Sequence, residues 1–175
     1  NCVGETGRVR CGLRRAPWVR VHAQENIWTV DEGTSTVPKC RPEGKFLRVL
    51  GRRPPAVDGA VATPRGPNPP AQKYIFCRPT DVGFDPQGNI FVSDGYGDSR
   101  IVKYDRTGRF IKAVGTRGNG PLQFSTPHAI AVDAKGIVYV ADRGNSRIVV
   151  LDNDLNQKAV YDNVGAPWAV CISSG

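Results

Sequence analysis

The 175-residue sequence contains no methionine and no run of 18 or more apolar residues. The second absence predicts that no helix spans a membrane. No charged-then-apolar leader opens the chain, and the missing methionine points to processing or trimming of a longer product. Histidine is scarce: His22 and His128 are the only two. A catalytic zinc site takes about three protein ligands, so imidazoles alone do not complete one. None of the five cysteines (Cys2, Cys11, Cys40, Cys77 and Cys171) forms a C-x-x-C pair, which argues against a zinc knuckle. An odd count leaves at least one thiol outside any intrachain pairing. Cys2 and Cys11 can close a short loop in an exported protein, and the compartment stays open. No stretch carries the apolar stripe of a helix.

What is present is turn-forming and basic. With 39% hydrophobic residues the chain can bury one sizeable core. Its 20 glycines and 14 prolines favour many turns and short strands. The net charge of +8 is uneven: residues 1–72 hold 12 Lys/Arg against 6 Asp/Glu, and residues 73–175 hold 12 against 10. The excess sits at Arg8, Arg10, Arg14, Arg15, Arg20, Arg48, Arg52 and Arg53. No aromatic interleaving accompanies it, so a solvated basic face is favoured over a nucleic-acid surface.

Internal repetition is the strongest signal. The stretch Pro79-Thr-Asp-Val-Gly-Phe-Asp-Pro-Gln-Gly-Asn-Ile-Phe-Val-Ser-Asp94 returns as Pro127-His-Ala-Ile-Ala-Val-Asp-Ala-Lys-Gly-Ile-Val-Tyr-Val-Ala-Asp142. Ser99-Arg-Ile-Val-Lys-Tyr-Asp105 is echoed by Ser146-Arg-Ile-Val-Val-Leu-Asp152, and Gly44–Gly51 matches Gly108–Gly115. A weaker copy starts at Asn26-Ile-Trp-Thr-Val-Asp31, and a fourth begins at Ala166-Pro-Trp-Ala-Val-Cys-Ile172. Apolar residues alternate at the period of a half-buried strand. Asp85-Pro-Gln-Gly88, Asp105-Arg-Thr-Gly108 and Asp133-Ala-Lys-Gly136 are turn sequences between such runs. One unit therefore predicts strands at 81–84, 89–93, 100–104 and 109–114.

Four strands per 40–50 residues make a propeller blade. The fold class is all-β, a β-propeller with about three and a half four-stranded blades. Residues 17–175 form this partial propeller, and 1–16 are an unassigned basic segment. Six of the 22 residues from Gly51 to Gln72 are proline, which marks about 51–76 as an inter-blade insertion. Three and a half blades leave a sheet edge at 169–172. That edge predicts a longer parent protein, two copies that complete a ring, or a marginally stable fragment.

The combination of Pro, Gly-Asn-Ile-Phe-Val-Ser-Asp and Asp-Ser-Arg-Ile resembles NHL repeats. Phe76-Cys-Arg-Pro-Thr-Asp-Val82, Ser93-Asp-Gly-Tyr-Gly-Asp-Ser-Arg-Ile101, Thr126-Pro-His-Ala-Ile130 and Val140-Ala-Asp-Arg143 resemble peptidyl-α-hydroxyglycine α-amidating lyases. The resemblance implies a propeller channel holding zinc, with calcium as a further cation. It implies cleavage of a hemiaminal C–N bond to give a peptide amide and glyoxylate. Carried over, Tyr96 is the base, Arg143 the carboxylate partner and His128 a zinc ligand. Trp18 stands where the family's first ligand would, and the blade carrying the remaining ligand would follow residue 175. Gly97 stands where the family has a cysteine facing Cys77.

Each residue has a plainer reading. Tyr96 can be a loop aromatic, although it lies where the repeat gains a residue: Asp94 to Ser99 is five steps, Asp142 to Ser146 four. His128 can be a hydrogen-bonded strand-end residue, and Arg143 a partner of an aspartate. Arg100 with Arg147, and Asp94 with Asp142, recur in register and predict structural roles, the aspartates accepting backbone N–H groups. The alternative to a lyase is a non-catalytic scaffold that binds a protein, peptide or polyanion. Expected partners are a peptide or small-molecule substrate, or a protein or second copy that completes the ring. Nucleic acid and membrane are not expected.

Overall fold

A computed structural model of the chain describes residues 18–21, 26–52 and 72–173. Pro17, His22, Cys2, Cys11 and most of the proline-rich insertion lie outside the described residues.

Three four-stranded antiparallel sheets follow one another in strict chain order. The first holds β1 (Trp18–Val21), β2 (Ile27–Val30), β3 (Val37–Cys40) and β4 (Phe46–Leu50). The second holds β5 (Asp81–Phe84), β6 (Ile90–Asp94), β7 (Arg100–Tyr104) and β8 (Phe110–Val114). A short parallel pair, β9 (Thr116–Arg117) and β10 (Gln123–Phe124), bridges to the third sheet. That sheet holds β11 (Pro127–Val132), β12 (Val138–Asp142), β13 (Arg147–Leu151) and β14 (Gln157–Asp162). The strands expected for the repeat unit are those of the second sheet to within a residue. Among the described residues the only helical turn is a 3₁₀ turn at Arg143–Asn145. Residues 166–172, read as the start of a fourth copy, are irregular.

The turns explain the repeat. In the β5–β6 connection the Gly88 N–H reaches the Asp85 carbonyl at 2.9 Å, with Gly88 at φ +82°. The Asp85 carboxylate accepts the Asn89 N–H at 2.8 Å. Asp and Gly three apart are thus fixed by one hydrogen-bonded turn and one left-handed residue.

Packing makes blades from sheets. One core lies between the first two sheets, with Trp28, Val30, Leu50, Phe76, Val82 and Tyr104 in it. A second lies between sheets two and three, with Phe91, Ile101, Phe124, Ile130, Val140 and Leu155. Each fully buried side chain of this size contributes about 1.5–3 kcal/mol. The inner strands β5 and β11 are largely buried, and the outer strands β8 and β14 are largely open. Buried ion pairs fasten the strand ends. Asp94 pairs with Arg100 at 3.0 Å and accepts the Cys77 N–H at 2.9 Å. Asp142 pairs with Arg147 at 2.8 Å and accepts the Ser125 N–H at 2.7 Å. The recurring Arg and Asp residues are structural, as their register predicts.

Candidate functional site

The site lies where the inner strands begin and the second strands of the blades end. Tyr96 sits in the β6–β7 loop, His128 at the start of β11, and Arg143 opens the β12–β13 loop. The extra residue in the β6–β7 loop carries Tyr96 outward to the neighbouring blade. Gly95 makes this approach possible, because a Cβ there would run into the Pro127 carbonyl oxygen. Thr80 ties the same seam, its hydroxyl 2.7 Å from that carbonyl and 2.9 Å from the Ser93 hydroxyl.

Tyr96 and His128 meet across the seam. The tyrosine Oη lies 3.0 Å from His128 Nε2, and His128 Nδ1 lies 2.7 Å from the Trp168 carbonyl oxygen. A carbonyl only accepts, which assigns the proton to Nδ1. Nε2 is then the lone-pair nitrogen, and the Tyr96 hydroxyl donates to it. Burial pushes the His128 pKa below its ordinary value; the Arg143 charge adds to this, while the Trp168 carbonyl and Asp81 oppose it. The imidazole is therefore neutral at physiological pH and available as a base.

Aromatic and cationic groups surround the pair. Trp168 packs edge-on to His128 with ring centroids 4.9 Å apart, and Trp18 does so from the first blade at 6.1 Å. Arg143 stacks over Trp168 at 4.0 Å. It finds an indole face instead of an aspartate, and among the described residues no carboxylate pairs with it. Arg78 covers the Tyr96 ring at 4.9 Å and forms an ion pair with Glu32. Asp81, fully buried, takes both forks of Arg20 at 3.1 and 2.5 Å and the Ile130 N–H at 3.0 Å. The sequence reading did not single out Arg78, Gly95 or the Trp168 carbonyl. The Gly-Tyr step in the lengthened loop was the one available signal.

Among the described residues no group of three metal-ligating side chains exists. His128 alone is arranged as a ligand would be, with its second nitrogen fixed by a backbone carbonyl. The matching inner-strand positions hold Trp18 and Thr80, and Trp168 occupies the next; an indole offers no lone pair to a metal. Asp81 is already satisfied by Arg20 and backbone amides. The described donors thus do not make a zinc or calcium site. Cys40 is disulfide-bonded. Cys77 lies against Gly97, where an added Cβ would strike its Sγ.

The NHL repeat family model matches residues 76–104 and 124–151. NHL repeat-containing protein 3 of Mus musculus is 32% identical over 147 residues, covering 80% of this chain and 39% of that protein. A probable peptidyl-alpha-hydroxyglycine alpha-amidating lyase of Caenorhabditis elegans is 40% identical over 85 residues, covering 47% of this chain and 24% of that one. The chain thus spans about two-fifths or less of the length of these relatives. The solved structure of a streptogramin B lyase superposes with a TM-score of 0.57 at 19% identity, over 85% of this chain and 42% of that one. That likeness is one of fold. Residues 76–104 and 124–151 are NHL repeats, and the chain is a run of NHL-type propeller blades related in sequence to amidating lyases.

Proposed function

We propose that the Tyr96–His128–Arg143 site carries out lyase chemistry on a carboxylate-bearing hemiaminal, the peptidyl-α-hydroxyglycine class named in the relatives. The observation that carries this reading is the 3.0 Å contact between Tyr96 Oη and His128 Nε2, which joins two blades through a base and a phenol. Arg143, stacked on Trp168 with no carboxylate partner among the described residues, offers its planar fork to the substrate carboxylate. Tyr96 takes the substrate hydroxyl proton as its own proton passes to His128 Nε2. The hydroxyl oxygen becomes the aldehyde carbonyl of glyoxylate, the C–N bond breaks, and its electron pair goes to the amide nitrogen. That nitrogen then takes back a proton through Tyr96, which is reprotonated from His128 Nε2, and the pair returns to its starting state. No step is routed through a metal.

The test is glyoxylate release from α-hydroxyhippurate by the wild-type protein, Tyr96→Phe and His128→Ala. Loss of positioned proton transfer predicts a fall of roughly 10²–10⁴-fold in either variant. A wild type that releases no glyoxylate overturns the reading. Trp18 on the inner strand β1 and Trp168 against His128 favour a second reading, recognition of a carboxylate-ended peptide without turnover. Under it, peptide binding survives Tyr96→Phe and is lost in Arg143→Ala.

A further inference from the structure

A cavity of about 290 Å³ opens at the seam between the first and second blades, far along the strands' outer side, lined by Arg48, Leu50, Gly51, Arg52, Tyr74 and Gly108 among others. The next seam differs at one turn position. The turn Asp105–Gly108 and the turn Asp152–Leu155 are the same element, each closed by a 2.9 Å hydrogen bond from the fourth residue to the first. Leu155 adopts φ +62° and is fully buried in the core of its seam. Gly108, like Gly44 in the first blade's own turn, adopts φ +80° and carries no side chain. A Cβ on it would already touch Leu50 at 3.0 Å and the Arg48 guanidinium at 3.2 Å.

The charges around the cavity are unbalanced. Lys39 and Arg48 are directly opposite each other on β3 and β4, a like-charge cross-strand pair that costs stability. Lys103 and Lys112 hold the same positions in the second blade. There the two amines are satisfied: Lys103 Nζ donates to the Asn153 carbonyl at 2.8 Å, and Lys112 Nζ to the Asp154 carbonyl at 2.7 Å. In the first blade Arg48 Nη1 donates to the Arg106 carbonyl at 3.4 Å. Arg52 stands where the second blade has Thr116, and among the described residues no carboxylate pairs with either arginine. Asp105, the acid on the turn, is turned inward to Thr107 and the Arg109 N–H. The Tyr74 hydroxyl accepts the Phe110 N–H at 3.0 Å, so its own proton can be donated.

We infer that this seam cavity binds a dianionic phosphoryl group carried by a small organic molecule, held by the Arg48 and Arg52 guanidiniums with the Tyr74 hydroxyl as a third donor. Two guanidinium forks match a tetrahedral oxyanion. A cavity of about 290 Å³ exceeds the needs of the oxyanion and leaves room for the group that bears it. Arg52, where the second blade has Thr116, departs from the repeat, as expected where function overrides packing.

The experiment is calorimetric titration of the protein with glucose 6-phosphate, inorganic phosphate, glucose and acetate. Saturable binding of glucose 6-phosphate is expected, with glucose and acetate not binding. Arg52→Ala, at an exposed position, weakens it tenfold or more, and Gly108→Leu, whose side chain presses on the Arg48 guanidinium, weakens it as well. Tyr96→Phe leaves it unchanged, which separates this site from the lyase site. Inorganic phosphate binding as tightly as the ester supports the oxyanion site and assigns it to free phosphate; weaker binding assigns the remaining volume to the organic group. No saturable binding of either phosphate, or equal binding by folded Arg52→Ala, overturns the inference.

Discussion

Replacing Asp142 with alanine tests how the blade ends are held. Its carboxylate is fully buried. One oxygen accepts the Ser125 N–H at 2.7 Å; the other accepts Arg147 Nε at 2.8 Å and the Asn145 amide at 2.7 Å. Asp142→Ala leaves three donors without this acceptor. It also strands the guanidinium of Arg147, a residue only 8% exposed, on the Asn119 and Gln123 carbonyls. Removing one partner of a buried pair costs about 3–5 kcal/mol. At about 2–4 °C per kcal/mol for a chain of this size, the melting temperature falls by about 6–20 °C. Urea unfolding followed by tryptophan fluorescence measures the cost directly. In the double variant Asp142→Ala/Arg147→Leu the stranded charge is gone, and apolar replacement of both members of such a pair is near neutral. The double variant should therefore be more stable than the single one. A single substitution costing less than about 1 kcal/mol, or a double variant no better than the single, would refute the assignment of this pair as the clamp.

Four further outcomes follow. Gly95→Ala drives a Cβ into the Pro127 carbonyl; it should cost about 1–3 kcal/mol as an overpacked contact and reduce glyoxylate release more than folding, read by activity beside circular dichroism. Burial, together with the neighbouring Asp98, pushes the Asp94 carboxyl up to about 7. A raised acid pKa in the folded state means that stability declines as pH rises from about 4 to about 7. Asp98→Asn, which copies the Asn145 of the third blade, should flatten that decline in melting curves between pH 5 and 8; an unchanged slope would sink the argument. Because His128 is shifted downward, glyoxylate release should persist below pH 6.5 and fail only at more acid pH, as a pH–rate profile would show. Mass spectrometry should find well below one zinc per chain, unchanged in His128→Ala; stoichiometric zinc lost on that substitution would mean that ligands outside the described residues complete a metal site.

The blades themselves were legible because they are local. Alternation with a period of two, an Asp and a Gly three apart at each turn, and Asp and Arg returning in register specify contacts a few residues long, and the repeat displays them twice. Tyr96 was visible for the opposite reason, as a break in register. Its partner was less legible: resemblance named Tyr96 and His128 separately, and only the packed seam brings Oη to Nε2.

The sequence by itself determined the strand order, the turn chemistry and the structural part of the recurring Asp and Arg residues, since each depends on neighbours along one blade; that these pair with each other is read from the structure. Tertiary structure alone decided what crosses a seam. It turned Arg143 onto Trp168 instead of an aspartate and joined Arg20 of the first blade to Asp81 of the second. It also left a cavity beside Arg48, Arg52 and Tyr74 at one seam and buried Leu155 in the other. Those contacts depend on how separately formed segments pack together, a relation between distant residues that no local period encodes.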